Sequence, residues 1–195
     1  GSLLFGCPDR IKVRIVLMSE RYRIALARNL AELQKVLLIR ETLLGIEKHK
    51  YTANVFVRVI NDALNNDYIS HAIKVFERSS KSASFWYVYR SDQRVIDQYS
   101  RDSGYSIDKL KNISDKLKVV RNGTHFHIDS AGVLDPKKIW SDASLTGKEL
   151  ADAIDFAWGA LSAAQRNIGG EIPSLLNYRS DDALAALKRV EGARD

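Results

Sequence analysis

The chain reads SIDKLKNISDKLKVV from residue 106 to residue 120, and this stretch contains its clearest helical pattern. Apolar side chains recur there every three or four residues, which is the spacing of one face of an α-helix. Ser106 stands at the N-cap position, where its hydroxyl can accept a backbone N–H of the first turn. The pattern predicts an amphipathic helix docked in a helical core. Its apolar positions are Ile107, Leu110, Ile113, Leu117 and Val120.

The same spacing predicts helices on both sides of this stretch. Toward the N-terminus we expect a long first helix from Ser19, a plausible N-cap, to residue 50, because apolar residues recur there without proline. Toward the C-terminus we expect a loop, and then a helix that Thr146 can cap. The remaining predicted segments are helices over 52–78 and 85–99, the loop over 128–146, and helices over 146–168 and 181–190.

We therefore expect an all-α protein with one domain. At 195 residues the chain is long enough for a single buried core, and no shift in composition divides it. The helical domain is expected over 18–170, followed by a C-terminal tail with a short helix over 171–195. Residues 1–17 are interpreted as an N-terminal extension, because the opening Gly1 and Ser2 are typical of a tag-cleavage remnant.

The net charge, the single cysteine and the lack of a long apolar run limit the classes of function that this chain can have. The chain has 30 Lys and Arg against 24 Asp and Glu, and this net charge of +6 favours an anionic partner such as RNA. Cys7 is the only cysteine, which excludes an internal disulfide and argues against a structural zinc site. No apolar run approaches the roughly 20 residues that span a bilayer, and no secretory signal is evident. We expect a cytoplasmic protein that needs no metal and no cofactor.

Four aromatic residues lie close together in the third predicted helix, namely Phe85, Trp86, Tyr87 and Tyr89. Such a group can stack on the exposed bases of a nucleic acid. It can also fill the core of a helical bundle, and the spacing of these residues favours the core.

Directly after the helix of 106–120 the chain reads RNGTHFH over 121–127. Arg121 carries a permanent charge and a planar fork of donors that suits a phosphate, while a nearby histidine can transfer protons near neutral pH. Together they are the minimum for cleaving RNA without a metal ion. The alternative is structural: Arg121 neutralises the helix C-terminus, and the histidines pack or face water. We expect the segment to meet solvent at Gly123.

This run resembles the Arg-polar-x(n)-His signature of the HEPN superfamily, the small α-helical domains of prokaryotic toxins and RNA-processing systems. It is most similar to the abortive-infection type U branch. Arg121 matches the family arginine, Asn122 the polar residue after it, and His127 the terminal histidine. The likeness extends over roughly 19–168, through the long first helix, the helix that leads into Arg121, and the last core helix.

The spacing of the histidines leaves two alternatives open. The commonest family spacing puts four residues between Arg and His, and that position is Phe126 here. On a regular helix His125 shares the face of Arg121, whereas His127 points about 120° away. His127 therefore reaches Arg121 only if the helix loosens near Gly123. We favour His127 as the catalytic histidine, with His125 as the alternative.

The resemblance implies a fold, an assembly and a reaction. The fold is an up-and-down helical bundle, and two copies pair as a homodimer so that their motifs face one cleft. Arg121 then binds the scissile phosphate, His127 acts as base or acid, and Asn122 orients one of them. The products carry a 2′,3′-cyclic phosphate and a 5′-hydroxyl, and no metal is required.

The lysines before the motif and the family resemblance also predict partners of the protein. Lys109, Lys116 and Lys118 are predicted to lie on the exposed side of the helix before the motif and to guide RNA toward it. A solvated helix face explains them equally well. The resemblance also implies a toxin of a toxin-antitoxin or phage-defence system, with a nucleotidyltransferase-type antitoxin. The alternative function is a HEPN-like dimer that has lost cleavage and binds RNA or protein.

Overall fold

The computed structural model describes residues 19–49, 55–125 and 136–192. Within these ranges the chain forms eight α-helices and no strand, so the predicted all-α helical bundle is confirmed. The expected N-terminal extension lies outside the described residues. In chain order the helices are α1 (Glu20–His49), α2 (Val55–Phe76), α3 (Phe85–Ser91), α4 (Gln93–Ser103), α5 (Ile107–Val120), α6 (Pro136–Ala143), α7 (Gly147–Asn167) and α8 (Ser180–Gly192).

The core is built around α1, the longest helix. It packs against α2, α3, α7 and α8, and its side chains Tyr22, Leu26 and Leu30 are fully buried. Burying one such large apolar side chain contributes about 1.5–3 kcal/mol. On the other side of the core, α7 contributes small buried residues, Ala153 and Ala157 among them, which allow close packing against α1 and α4.

The helix starts predicted from capping residues are confirmed. The hydroxyl oxygens of Ser19 and Ser106 each accept a backbone N–H of the following turn at 3.2 Å. Thr146 forms a complete capping box with Glu149: its hydroxyl accepts the Glu149 N–H at 3.2 Å, and the Glu149 carboxylate accepts the Thr146 N–H at 2.9 Å. A cap of this kind contributes about 1 kcal/mol.

The capping box makes stability depend on pH. A hydrogen bond from Lys116, followed by those from Thr146, lowers the pKa of Glu149 from 4.5 to about 2. Because this folded-state pKa lies below the unfolded value, the ionised carboxylate stabilises the fold above pH 4.5, and this contribution is lost as the pH falls toward 2. We expect Glu149→Gln to be about 0.5–1 kcal/mol less stable at neutral pH, because glutamine can keep the capping box but loses the charge-assisted hydrogen bond from Lys116. Its Tm should fall less steeply than that of the wild type between pH 4.5 and 2.

Thermal melts followed by circular dichroism across this pH range measure the effect. Glu171→Gln is the matched control, because Glu171 is exposed and lies outside the helices. Parallel Tm curves for Glu149→Gln and the wild type would contradict the assignment.

The prediction of one helix over 85–99 is wrong, because α3 ends at Ser91 and α4 begins at Gln93. Asp92, between them, is buried, and its carboxylate accepts hydrogen bonds from the Tyr22 hydroxyl at 3.3 Å and the Asn167 amide at 3.4 Å. These two partners belong to α1 and to the end of α7. The break is therefore stabilised by tertiary contacts.

The prediction of a loop over 128–146 is wrong in its second half, where α6 forms. Pro136 stands in the first turn of α6, a position at which proline favours a helix. The half-buried Trp140 of α6 packs against the core, and α6 lies against α5. The expected short terminal helix is confirmed as α8.

The aromatic residues of α3 belong to the core, as their spacing favoured. Phe85 and Trp86 are buried, and the rings of Tyr87 and Tyr89 are half-buried. The indole Nε1 of Trp86 donates to the Phe76 carbonyl at 3.1 Å and to the Ser114 hydroxyl at 3.0 Å. The two buried rings are therefore not available to stack on bases.

Candidate functional site

A short π-helical segment, Arg121–His125, follows α5 directly, and we name it the π turn. It begins after Val120, whose side chain is fully buried, and the Arg121 N–H still donates to carbonyls of α5. A π turn winds more loosely than an α-helix and often occurs at functional sites. The loosening expected near Gly123 is therefore present. His127 itself lies outside the described residues.

Gly123 is half-buried and packs against α6, so the segment meets solvent at Gly123 only in part. A Cβ atom at this position would lie 2.8 Å from two side-chain carbons of Ile139. The missing side chain allows α6 to cross the π turn this closely. As a result, the π turn packs closely against α6.

The guanidinium of Arg121 has all three nitrogen atoms engaged. NH1 donates to Oε1 of Glu77 at 2.7 Å, while Nε and NH2 both donate to Oδ1 of Asn122 at 3.2 Å. The Arg121 and Glu77 side chains are 29% and 34% exposed, so the ion pair is partly shielded from water. The two partners together fix the plane of the guanidinium.

Arg121 lies at the edge of a cleft of about 520 Å³ between the end of α2 and α5. The cleft has an apolar floor and a charged rim, and its volume falls within the range of small-ligand sites. The floor contains Ile73, Phe76 and Leu117, and the rim contains Glu77, Arg78, Asp115, Lys118 and Arg121.

A second ion pair crosses the cleft. Arg78 follows α2, and its NH1 donates to both carboxylate oxygens of Asp115 on α5 at 2.9 Å. Sequence reasoning did not find Glu77, Arg78 or Asp115 as site residues. The available signal was the pair of opposite charges at Glu77 and Arg78, directly after the last apolar residue of α2.

Of the three lysines predicted to guide RNA, the structure places only Lys118 in this cleft. Lys116 is not on the exposed side as expected: its side chain is 16% exposed, and its Nζ binds Glu149 at 2.8 Å. Lys109 is exposed and lies over the ring of Tyr105, near the start of α5. Lys109 and Lys118 are therefore separated by more than two helical turns.

The histidines of the motif have no described side-chain position. The backbone of His125 ends the π turn, while the predicted catalytic residue His127 follows it outside the described ranges. His71, on α2, is buried elsewhere and is held between Glu32 and Asp67, with Nε2 3.2 Å from Asp67 Oδ1. Burial raises the pKa of Glu32, but the His71 hydrogen bond and nearby positive charge outweigh it and lower that pKa overall.

Among the described residues, no group of three or more His, Cys, Asp or Glu side chains is arranged to bind a metal ion. In the same ranges, every helix is too short or too polar to cross a bilayer. The chain matches no protein-family model, no curated protein and no solved structure.

Proposed function

We propose that this chain is a metal-independent endoribonuclease of the HEPN type. The observation that carries the proposal is the placement of Arg121, whose guanidinium is oriented by Glu77 and Asn122 at the edge of a cleft. An oriented arginine fork is suited to a phosphate diester. The arginine also precedes His127 by six positions, so an acid-base group follows it closely in the chain.

In the proposed reaction Arg121 binds the scissile phosphate and stabilises the charge that develops on it. His127 takes the proton of the ribose 2′-OH, and the 2′-oxygen attacks phosphorus. The bond from phosphorus to the 5′-oxygen breaks, and the histidine of a second copy protonates that leaving oxygen. The products are a 2′,3′-cyclic phosphate and a 5′-hydroxyl. His125 is the alternative base.

We also propose an assembly, a substrate and a partner for this activity. Two copies form a homodimer in which both motifs face a shared cleft between the copies. The substrate is cytoplasmic RNA. Such an activity fits a toxin of a toxin-antitoxin or phage-defence system, with a nucleotidyltransferase-type antitoxin as partner. The net charge of +6 supports an RNA ligand, because excess positive charge attracts a polyanion.

Incubation of the purified protein with total RNA in EDTA tests the activity. We expect cleavage to persist in the chelator, and enzymatic end mapping to find cyclic phosphates and 5′-hydroxyls. RNA that stays intact, with or without added divalent metal, would remove the nuclease proposal.

A binding module without catalysis is the second candidate. The observation that favours it is that Asn122 already accepts from both Nε and NH2 of Arg121, so a phosphate that binds this edge with two hydrogen bonds must displace Asn122. In that case the protein retards RNA or a protein partner on a native gel and leaves RNA uncut. The EDTA experiment therefore separates the two candidates.

A further inference from the structure

The cleft contains a second arginine that the proposed reaction does not use. Arg78 donates to Asp115 through NH1 alone. Within the described part of the chain its Nε and NH2 donate no hydrogen bond. Its guanidinium also lies over the Trp86 ring, 5.8 Å from the ring centre, which is within range of a cation-π contact. Asp115 and the Trp86 ring thus hold the Arg78 guanidinium in place, and its Nε and NH2 atoms remain able to donate to a ligand.

This arrangement makes Arg78 a more available anion receptor than Arg121. The Nε and NH2 atoms of an arginine form an edge that can bind a phosphate with two parallel hydrogen bonds. In Arg121 that edge is occupied by Asn122, whereas in Arg78 it has no partner among the described residues. The Arg78 side chain is 47% exposed, so the edge is accessible from solvent.

Lys118 extends the positive charge from Arg78 toward Arg121. Its side chain is exposed and forms no ion pair within the ranges that the structure describes. Positions 115, 118 and 121 all line the cleft, the first two on α5 and the third at the start of the π turn, and on a regular helix each step rises about 4.5 Å and turns about 60° around the axis. Because Arg78 is anchored at Asp115, three cations follow one another along the cleft.

We propose that Arg78 and Lys118 form a second phosphate subsite, which binds the RNA backbone next to the phosphate held by Arg121. The identity of the ligand rests on the proposed function. Glu77 and Asp115 offset part of the positive charge, so a single phosphate gains little from this cleft. A strand that contacts all three cations at once gains much more, because its second and third contacts are intramolecular.

Binding of a strand that cannot be cleaved tests the subsite. The probe is a fluorescent single-stranded RNA with 2′-O-methyl riboses, whose affinity is measured by anisotropy over a range of salt concentrations. We expect Arg78→Ala and Lys118→Ala each to weaken binding about tenfold. Each should also reduce the slope of log K against log salt by about 0.7, the value for one contact with a single strand.

The matched controls are Arg101→Ala on α4 and Lys188→Ala on α8, since both residues are exposed and lie outside the cleft. They should bind within about twofold of the wild type, as expected for loss of a distant surface charge. Circular dichroism checks that all variants are folded, and the exposed Arg78–Asp115 pair contributes little to stability.

The outcomes separate this proposal from the nuclease proposal. If the cleft variants bind like the controls, or if the wild type does not bind the strand, the subsite is wrong even where ordinary RNA is cut. If the wild type cuts no RNA but its binding depends on Arg78 and Lys118, the subsite stands and the nuclease fails. Tighter, Arg78-dependent binding of a polyglutamate peptide overturns the subsite in favour of an acidic protein partner.

Discussion

Arg121→Ala is expected to lower the rate of RNA cleavage by at least about 100- to 1,000-fold, the usual effect of removing one donor that stabilises transition-state charge. The arginine is the only cation whose guanidinium plane is fixed at the cleft edge by both a carboxylate and an amide among the described residues. Initial rates on a labelled RNA, measured in EDTA, quantify the loss. Arg121→Lys keeps the charge but not the fork, so most of the activity should be lost in this variant as well.

Folding should be nearly unaffected by this change. Glu77, the carboxylate that loses its partner, is 34% exposed, so water can solvate it and the cost is within about 1 kcal/mol. Arg101→Ala is the control, because Arg101 is an exposed arginine of α4 and its loss removes the same charge outside the cleft. Cleavage at the wild-type rate by folded Arg121→Ala would exclude Arg121 from the chemistry.

The histidines are tested in the same assay. We expect His127→Ala to abolish cleavage and to leave the helical circular dichroism signal unchanged, since loss of a general acid or base costs about 100- to 10,000-fold. His125→Ala should retain activity. If only His125→Ala is inactive, the assignment of the base moves to His125 while the HEPN proposal is retained.

The helical class was predictable because its signals are local. Capping at Ser106 and Thr146 depends on residues three positions apart, and the apolar periodicity of α5 and α7 is read within one element. The break at Asp92 was not predictable, because its buried carboxylate is held by Tyr22 and Asn167, which are distant in sequence. The short helix α6 was not predicted, because eight residues are too few to show a clear periodic pattern and the sequence before them contains Gly132 and Asp135.

The residues of the candidate site also differ in whether the sequence predicts them. Arg121 and Asn122 are adjacent in sequence, so a short motif contains both members of this hydrogen-bonded pair. Glu77 is 44 positions from Arg121, and Asp115 is 37 positions from Arg78, so neither pair leaves a periodic signal. From the sequence alone Lys116 is typical of an exposed helix surface, whereas in the structure it donates to Glu149, a residue of α7. The sequence therefore indicates Arg121, but it does not indicate the carboxylates of Glu77 and Asp115 that bind the two arginines of the cleft.

Gly45→Ala is expected to destabilise the protein by about 2 kcal/mol, within the usual range for overpacking. A Cβ atom at position 45 of α1 would overlap the Ser180 carbonyl oxygen and would lie 2.6 Å from the Ala183 Cβ, and both of these atoms belong to α8. Neither atom is the end of a flexible side chain, so the two helices must move apart. The separation weakens the hydrogen bond from Lys48 Nζ to the Ser180 hydroxyl, which is 2.7 Å long.

The effect should concentrate in α8, because that helix packs mainly on α1. Hydrogen exchange of the α8 amides should accelerate, while the amides of α7 keep their protection. Gly147→Ala is the matched control: a Cβ there meets nothing within 4 Å, and alanine favours the first turn of α7 by up to about 1 kcal/mol. The two alanine variants should therefore change Tm in opposite directions. An unchanged Tm with full protection of α8 in Gly45→Ala would mean that α8 does not pack this closely on α1.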